Sequence, residues 1–264
     1  MILDKPKLLQ ILFHAHLHKP ARAFYRAFFG GEGRARRKRL RDFYAPFIRS
    51  GDLVYDVGAN IGIYSEIFCS LGARVVAFEP VPDCVRQLKV WLPSNKVSVI
   101  EASVGAAPGT GRLHLSSVSS SSSMSDDWVR IVQKSFLSKT MEWVKDLDVR
   151  IVTLDAISKE YGRPKYVKID VEGYEEFVLE GMSWQPELLS FEFHKETIDA
   201  ALRCLSKPCI SKNSLFNYLL GEPGHFVFDR WVSLDQLQQA IYKLDHEHGF
   251  GDIFVRQPHA ILRI

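Results

Sequence analysis

The sequence predicts an α/β fold of the Rossmann-like type, a mostly parallel sheet with helices on both faces, and three observations carry that expectation. Short apolar runs at residues 53–55, 74–78 and 97–101 have the length and β-branched content of buried strands, with helical spacing between them. The first run passes into a glycine turn, Asp56-Val57-Gly58-Ala59-Asn60-Ile61-Gly62, and the second closes on Glu79. Strand, turn, helix, strand and acid make half of a nucleotide-binding sheet. Residues 166–173 then place Val167, Ile169 and Val171 on one face of a strand and Lys168, Asp170 and Glu172 on the other, so a central strand ends in acids.

At 264 residues, 46% of them hydrophobic, the chain can build one large domain or a domain with an appendage. Residues 1–50 read as a helical, basic extension and 51–264 as the sheet domain. Within 5–29, Leu8, Leu9, Ile11, Leu12, Phe13 and Leu17 make an apolar run too short to span a bilayer and without a small-residue cleavage site. A helix packed on the domain is expected there, not a transmembrane segment or a leader. His14, His16 and His18 point to different faces of such a helix, and no metal ligand set is expected in the chain. In the basic run 34–41, Leu40 joins Phe43, Tyr44, Phe47 and Ile48 in one apolar stripe, an amphipathic helix that ends near Pro46. Residues 1–50 hold 12 Lys+Arg against 3 Asp+Glu, a balance of +9; the other 214 hold 22 against 28, or −6. That excess fits a solvated helix face and permits an anionic partner for residues 34–41, such as nucleic acid, a phospholipid surface or an acidic carrier. Cys69, Cys84, Cys204 and Cys209 lack paired spacing, which argues against a zinc site or a disulfide framework and for a reducing, cytoplasmic setting.

The glycine turn decides which nucleotide fits. A dinucleotide fold uses G-x-G-x-x-G to hold a pyrophosphate on a helix N-terminus, whereas this turn is D-x-G-x-x-x-G with Asp56 in front, and a carboxylate there repels phosphate. It suits a ligand with a cationic amine and no phosphates, and S-adenosylmethionine carries an ammonium, a sulfonium and a free ribose. Glu79, 21 residues after Gly58, is spaced to accept hydrogen bonds from both ribose hydroxyls. No phosphate-cradling loop ending in Gly-Lys-Ser/Thr is present, which argues against a nucleotide triphosphatase.

Ile63, Ile67 and Leu71 fall at helical spacing after the turn, and Gly72 is placed for a left-handed cap. A helix from Pro80–Pro82 runs through Val85, Leu88 and Trp91 to the third strand. Residues 103–115 read as a turn and a short extra strand. Eight of the ten residues in 116–125 are serine, a polar tract that burial cannot order, and its place past the third strand fits a lid over the sheet's carboxyl edge. Residues 126–164 are ambiguous, apart from a strand at 149–153 and a helix from Leu154. A helix at 174–179 and a fifth strand at 188–194 follow, with Glu192 and His194 on one face. Beyond Lys207 the pattern weakens, with strands expected at 225–228 and 253–255 around a helix at 233–244.

DVGANIG at 56–62, FEP at 78–80, TLD at 153–155, KIDVEGYE at 168–175, VLEG at 178–181 and FEFH at 191–194 resemble the FkbM family of S-adenosylmethionine-dependent methyltransferases. The resemblance covers residues 52 to about 195. It implies a class I methyltransferase sheet of seven strands, mostly parallel with the last reversed, and methyl transfer, usually to oxygen, on natural products, sugars or other small molecules. It assigns Asp56, Gly58, Asn60 and Gly62 to the cofactor turn and Glu79 to the ribose; Glu101, at the end of the third strand, and Ser103 just after it are further candidate cofactor residues.

Such chemistry needs a nucleophile held in line with an electrophilic methyl group, water excluded, and a hydroxyl proton removed. Asp170, Glu172 and His194, all at strand carboxyl ends, are the candidate bases. Structural roles stand beside each: Asp170 can pair with Lys168, and Glu172 can cap the next helix. His194 has the best-matched intrinsic pKa, with Glu192 placed to orient it. An RNA or protein methyltransferase guided by the basic segment, and a non-catalytic cofactor-binding domain, are the other classes. The strand-four end holds Asp170-Val171-Glu172-Gly173 and not an Asn/Asp-Pro-Pro-aromatic loop, which disfavours base methylation, and the intact acids disfavour a degenerate domain.

Overall fold

A computed structural model of the chain describes residues 30–117, 121–134, 142–244 and 249–259. The helix expected within 5–29 lies outside these residues, as do 118–120 of the serine tract. In chain order come α1 (Gly30–Tyr44), β1 (Leu53–Val57), α2 (Ile63–Ser70), β2 (Arg74–Phe78), α3 (Pro82–Trp91) and β3 (Val97–Ile100). Then follow β4 (Ser103–Val104), β5 (Gly109–Ser116), α4 (Asp126–Lys134), β6 (Trp143–Val152), α5 (Leu154–Tyr161), β7 (Tyr166–Ile169) and α6 (Glu175–Glu180). The chain continues through β8 (Leu188–His194), α7 (Ile198–Leu205), β9 (Leu215–Leu220), α8 (Leu234–Tyr242) and β10 (Phe250–Arg256).

Seven strands form one sheet in the order β3-β2-β1-β7-β8-β10-β9. Every pair is parallel except those of β10, which runs antiparallel to both β8 and β9. The expected mostly parallel sheet with its last strand reversed is therefore present. One core covers the face toward α5, α6, α7 and α8, and a second covers the face toward α1, α2 and α3. The β1 residues divide by the strand alternation: Leu53, Tyr55 and Val57 enter the first core and Val54 the second. The order reverses between β1 and β7, and their carboxyl ends open there into a crevice, the place where such sheets bind ligands.

Two readings are corrected. Residues 225–228 form no strand; the edge strand is Leu215–Leu220. The reason is Asn217, whose buried side chain takes over the ladder: its Nδ2 donates to the Phe228 carbonyl at 2.9 Å and its Oδ1 accepts the Phe228 amide at 3.2 Å. The run 225–228 thus lies alongside β9 with one backbone bond to it, from the Val227 amide to the Tyr218 carbonyl at 2.9 Å, and builds no ladder. The strand expected at 149–153 is longer, Trp143–Val152, and belongs to a separate three-stranded sheet, β4-β6-β5, beyond the third strand. Its solvent-facing Lys145, Asp146 and Arg150 dilute the apolar signal.

Helix α1 has the expected stripe, with Leu40, Tyr44, Phe47 and Ile48 buried in the second core. Its basic face is spent largely on the protein itself: Arg36 and Arg39 pair with Glu222 at 2.7 and 3.2 Å, and Arg37 with Glu66 at 3.2 Å. All four cysteines are buried and unpaired. Among the described residues no helix is long and apolar enough to cross a membrane. Since Leu40 has no exposed surface, Leu40→Ala should lower the unfolding free energy by ~2–5 kcal/mol in urea denaturation. A loss under ~1 kcal/mol would mean that α1 is not docked on the sheet in solution.

Candidate functional site

The site begins where β1 runs into the glycine turn. Gly58 has φ +83, and a Cβ on it would stand 1.8 Å from the Asp170 carbonyl oxygen, so only glycine lets this turn cross the end of β7. Asn60 is also left-handed, at φ 49, and Gly62 precedes α2 with φ 85. Asp56 does not face the crevice. Alternation along β1 turns it with Val54 toward α2, where it is 1% exposed and accepts a 2.5 Å hydrogen bond from Ser65 Oγ. Its carboxylate ties the turn to the helix from beneath, which replaces the direct ligand contact expected of it. Gly62 acts similarly at the back of the turn, where a Cβ would meet Leu88 at 2.6 Å.

At the end of β2, Glu79 is buried in the crevice wall and accepts amide hydrogen bonds from Asn60 and Val81, both at 2.8 Å. Burial pushes its pKa up to about 7 against the pull of those amides. The carboxylate still has acceptor sites left for ligand hydroxyls. Ser103 lines the crevice, but Glu101 turns to solvent and pairs with Lys89 at 3.6 Å. Gly58, Asn60, Glu79 and Ser103 thus meet in one cleft of about 470 Å³, and Asp56, Gly62 and Glu101 do not line it.

The opposite wall is acidic. Lys168 of β7 is fully buried, donates to Asp170 Oδ2 at 2.6 Å and stands 4.2 Å above the Tyr64 ring. Burial works against its charge, yet Asp170 and Asp252 hold its pKa well above the ordinary value. Asp252, on β10 opposite Glu192, lines the same cleft, with burial raising its pKa to about 7. Glu172 lies at φ 54, its carbonyl accepting a 2.6 Å bond from Ser123 Oγ. It does not cap α6. No side chain caps that helix; Glu175 instead reaches back, its Oε1 accepting the Val171 and Gly173 amides, each at 3.2 Å, and so ties down the turn before it. Ser122 and Met124 also line the cleft, so the serine tract reaches the edge expected of a lid, while Arg36 and Glu222 bring α1 and the loop after β9 to its rim.

His194 stands elsewhere. It lines a second pocket of about 460 Å³ between β8, α4, α6 and α7, with its ring 4.1 Å from that of Trp128. The expected Glu192–His194 pairing is present at 3.1 Å, and Glu192 lines both pockets. Glu172, Glu192 and His194 each bring one ligand atom to within 4.8 Å of the others, a set able to hold a metal ion that the sequence reading did not assemble. Glu192 as a cleft residue, Glu175, Asp252, Arg36 and Trp128 were also missed. For Asp252 a signal existed, a lone acid beside the apolar run of a late strand.

The Methyltransferase FkbM domain matches residues 56–216, and the chain belongs to that methyltransferase family. It is 33% identical over 134 residues to the hexuronic acid methyltransferase AglP of Haloferax volcanii, a match covering 50% of this chain and 50% of that protein. The chain thus spans about half the length of this curated relative. Among solved structures, the FkbM methyltransferase of Methylobacillus flagellatus KT is 13% identical with a TM-score of 0.42, covering 81% of this chain and 50% of that one. The precorrin-6Y C5,15-methyltransferase of Geobacter metallireducens GS-15 is 11% identical with a TM-score of 0.40, covering 83% and 86%.

The Lys168 ammonium is the charge that the acidic wall is built around. Lys168→Met is expected to cost ~3 kcal/mol or more in urea denaturation, because the acids beside it lose their buried cation. Adding Asp170→Asn should return part of that loss, a coupling of ~0.5–3 kcal/mol. A single-mutant loss below ~1 kcal/mol would show that the ammonium holds nothing.

Proposed function

We propose that this member of the FkbM methyltransferase family uses S-adenosylmethionine to methylate a hydroxyl group of a small-molecule or glycan acceptor, with sugars foremost. The observation that carries the reading is the cleft of about 470 Å³ at the β1/β7 switch point. It is walled by acids, with Glu79 buried at the tip of β2 and Asp170, Glu172, Glu192 and Asp252 opposite, a lining that suits an ammonium and a ribose better than a phosphate. The match to a hexuronic acid methyltransferase supports a sugar acceptor.

The donor fits the groups present. Glu79 accepts the ribose hydroxyls, the Gly58–Gly62 turn gives its backbone to the methionine end, and Ser103 borders the nucleoside. Bound there, the donor supplies a methyl carbon on a sulfonium, a good electrophile whose leaving group is a neutral thioether. The protein has to orient the acceptor oxygen, shut out water and take the proton. Asp170, fixed by Lys168, presents a carboxylate to the cleft for that hydroxyl, with Glu172 beside it. His194, behind Trp128, acts through Glu192 or Glu172 and not by direct contact in this cleft. Residues 1–50 serve as an extension to the methyltransferase domain at 51–264. The pairing of Arg36, Arg37 and Arg39 within the chain favours the small acceptor over an RNA or protein recruited by that helix.

Calorimetry should show S-adenosylmethionine and S-adenosylhomocysteine binding without added nucleotide. Labelled methyl transfer to a panel of uronic acids and neutral sugars then identifies the acceptor class. Binding of a dinucleotide but of neither adenosyl ligand would sink the proposal. If Glu79 accepts two ribose bonds, Glu79→Ala should weaken donor binding by roughly one to several orders of magnitude.

The pH dependence of Glu79 follows from its pKa of about 7 in the folded protein, above the ordinary 4.5. The ionised carboxylate is the better acceptor, so donor affinity should rise ~tenfold from pH 6 to 8. The folded protein binds the extra proton between those two pKa values. This acid's contribution to stability is therefore complete below about 4.5 and lost as pH rises through about 7. Glu79→Gln should flatten both trends, and identical pH profiles for mutant and wild type would remove Glu79 from the ribose.

A further inference from the structure

We propose that Glu172, Glu192 and His194 form a divalent-cation site on the partition between the two pockets, where the cation binds the acceptor hydroxyl. This deepens the methyltransferase reading and rests on it for the role of the cation, though not for the site itself. The three side chains converge from two neighbouring strand ends, one ligand atom each, all within 4.8 Å. Glu192 carries the set across the partition because it lines both pockets, and Glu172 faces the donor cleft.

A second observation points to a missing ligand. Glu192 Oε2 and His194 Nε2 are both sealed from solvent and meet as an ion pair, neither finding a well-aligned hydrogen bond among the described residues. They lie 3.1 Å apart without the alignment of one, and Glu172 Oε2 is 4.0 Å from the same nitrogen. Buried polar atoms are nearly always partnered, and two desolvated carboxylates side by side are costly. A divalent cation would neutralise both carboxylates and accept the imidazole lone pair. Ligand atoms ~2.1 Å from one ion stand ~3 Å apart, so the Glu192–His194 pair is already at that spacing and Glu172 has about 1 Å to close.

The supports are those a rigid site needs. The Glu172 carbonyl is anchored by Ser123 Oγ, Glu175 holds the amides on either side of Glu172, and the His194 ring is packed by Trp128. Two carboxylates and one imidazole suit a first-row divalent ion with coordination positions left open. An acceptor hydroxyl in one of those positions would be acidified by the metal, and its O–H bond would break with the proton passing to Asp170 and on to water.

The test uses the full chain, stripped with chelator and then titrated with Mn²⁺ alone, free ion being read by electron paramagnetic resonance with no donor or acceptor present. One Mn²⁺ per chain is expected, displaced by Mg²⁺ or Zn²⁺. Glu172→Gln, Glu192→Gln and His194→Gln should each weaken it at least tenfold, while Asp199→Asn, in the exposed wall of the second pocket, leaves it unchanged. Circular dichroism spectra and melting curves that match wild type show that the variants fold. No Mn²⁺ bound at millimolar concentration, or equal binding in wild type and triad variants, would overturn the site. Because Mn²⁺ is read without the adenosyl ligand, failure of donor binding leaves this result standing. Mn²⁺ binding without chelator-sensitive methyl transfer would overturn the role and retain the site.

Discussion

The centre of this protein depends on one buried ammonium. Lys168 lies on the central strand β7 with no solvent exposure, and the carboxylates of Asp56, Asp170 and Asp252 surround it from β1, the end of β7 and β10. Three strands from different parts of the chain therefore meet at one charge. A buried cation can be kept only where carboxylates hold it, and the acids can be kept only where it offsets them. That mutual dependence ties the antiparallel β10 to the parallel half of the sheet. It also places acids at the mouth of the crevice, where a cationic ligand can use them.

The parallel half was legible because its signals are local. The strand, turn, helix, strand and acid of 53–79 each have a residue type that the backbone demands, and Gly58 is forced by the 1.8 Å approach of the Asp170 carbonyl. What failed was long-range. Asp56 looked like a ligand contact because it stands next to the turn, and only the alternation of β1 against α2 hides it beneath. Glu172 looked like a helix cap because it precedes α6, yet its backbone is left-handed at φ 54 and the helix starts without a side-chain cap, while Glu175 reaches back to the Val171 and Gly173 amides of the turn. The run 225–228 read as a strand because its apolar residues are local, whereas a side chain, Asn217 of Leu215–Leu220, takes up the Phe228 backbone groups that a strand ladder would use.

The same distinction explains the basic helix. A run of six cations in eight residues reads as a surface for an anion, since sequence shows charge and not its partner. In the fold, Glu222 is reached by Arg36 and Arg39, and Glu66 by Arg37, acids 183 and 29 residues away in the two hydrogen-bonded cases. Exposed pairs of this kind contribute little stability one by one. Their effect is positional: they set α1 across the rim of the cleft, with Leu40 and Tyr44 fixing it from the core side.

Arg36 and Glu222 at that rim, and Ser122 with Met124 opposite, narrow the opening over the acids. This matters for a transfer reaction, because an electrophilic methyl group in an open acidic cleft would meet water as readily as an acceptor. Neither side of the rim comes from the parallel strands. One comes from the N-terminal helix and the loop after β9, the other from the serine tract, three segments outside the nucleotide-binding half. Their residues can vary without disturbing Lys168 or the glycine turn. The fold thus separates its parts: the charge-locked centre is shared with the sheet, and the rim and second pocket are built from segments outside it, the parts that can differ when the proposed acceptor does.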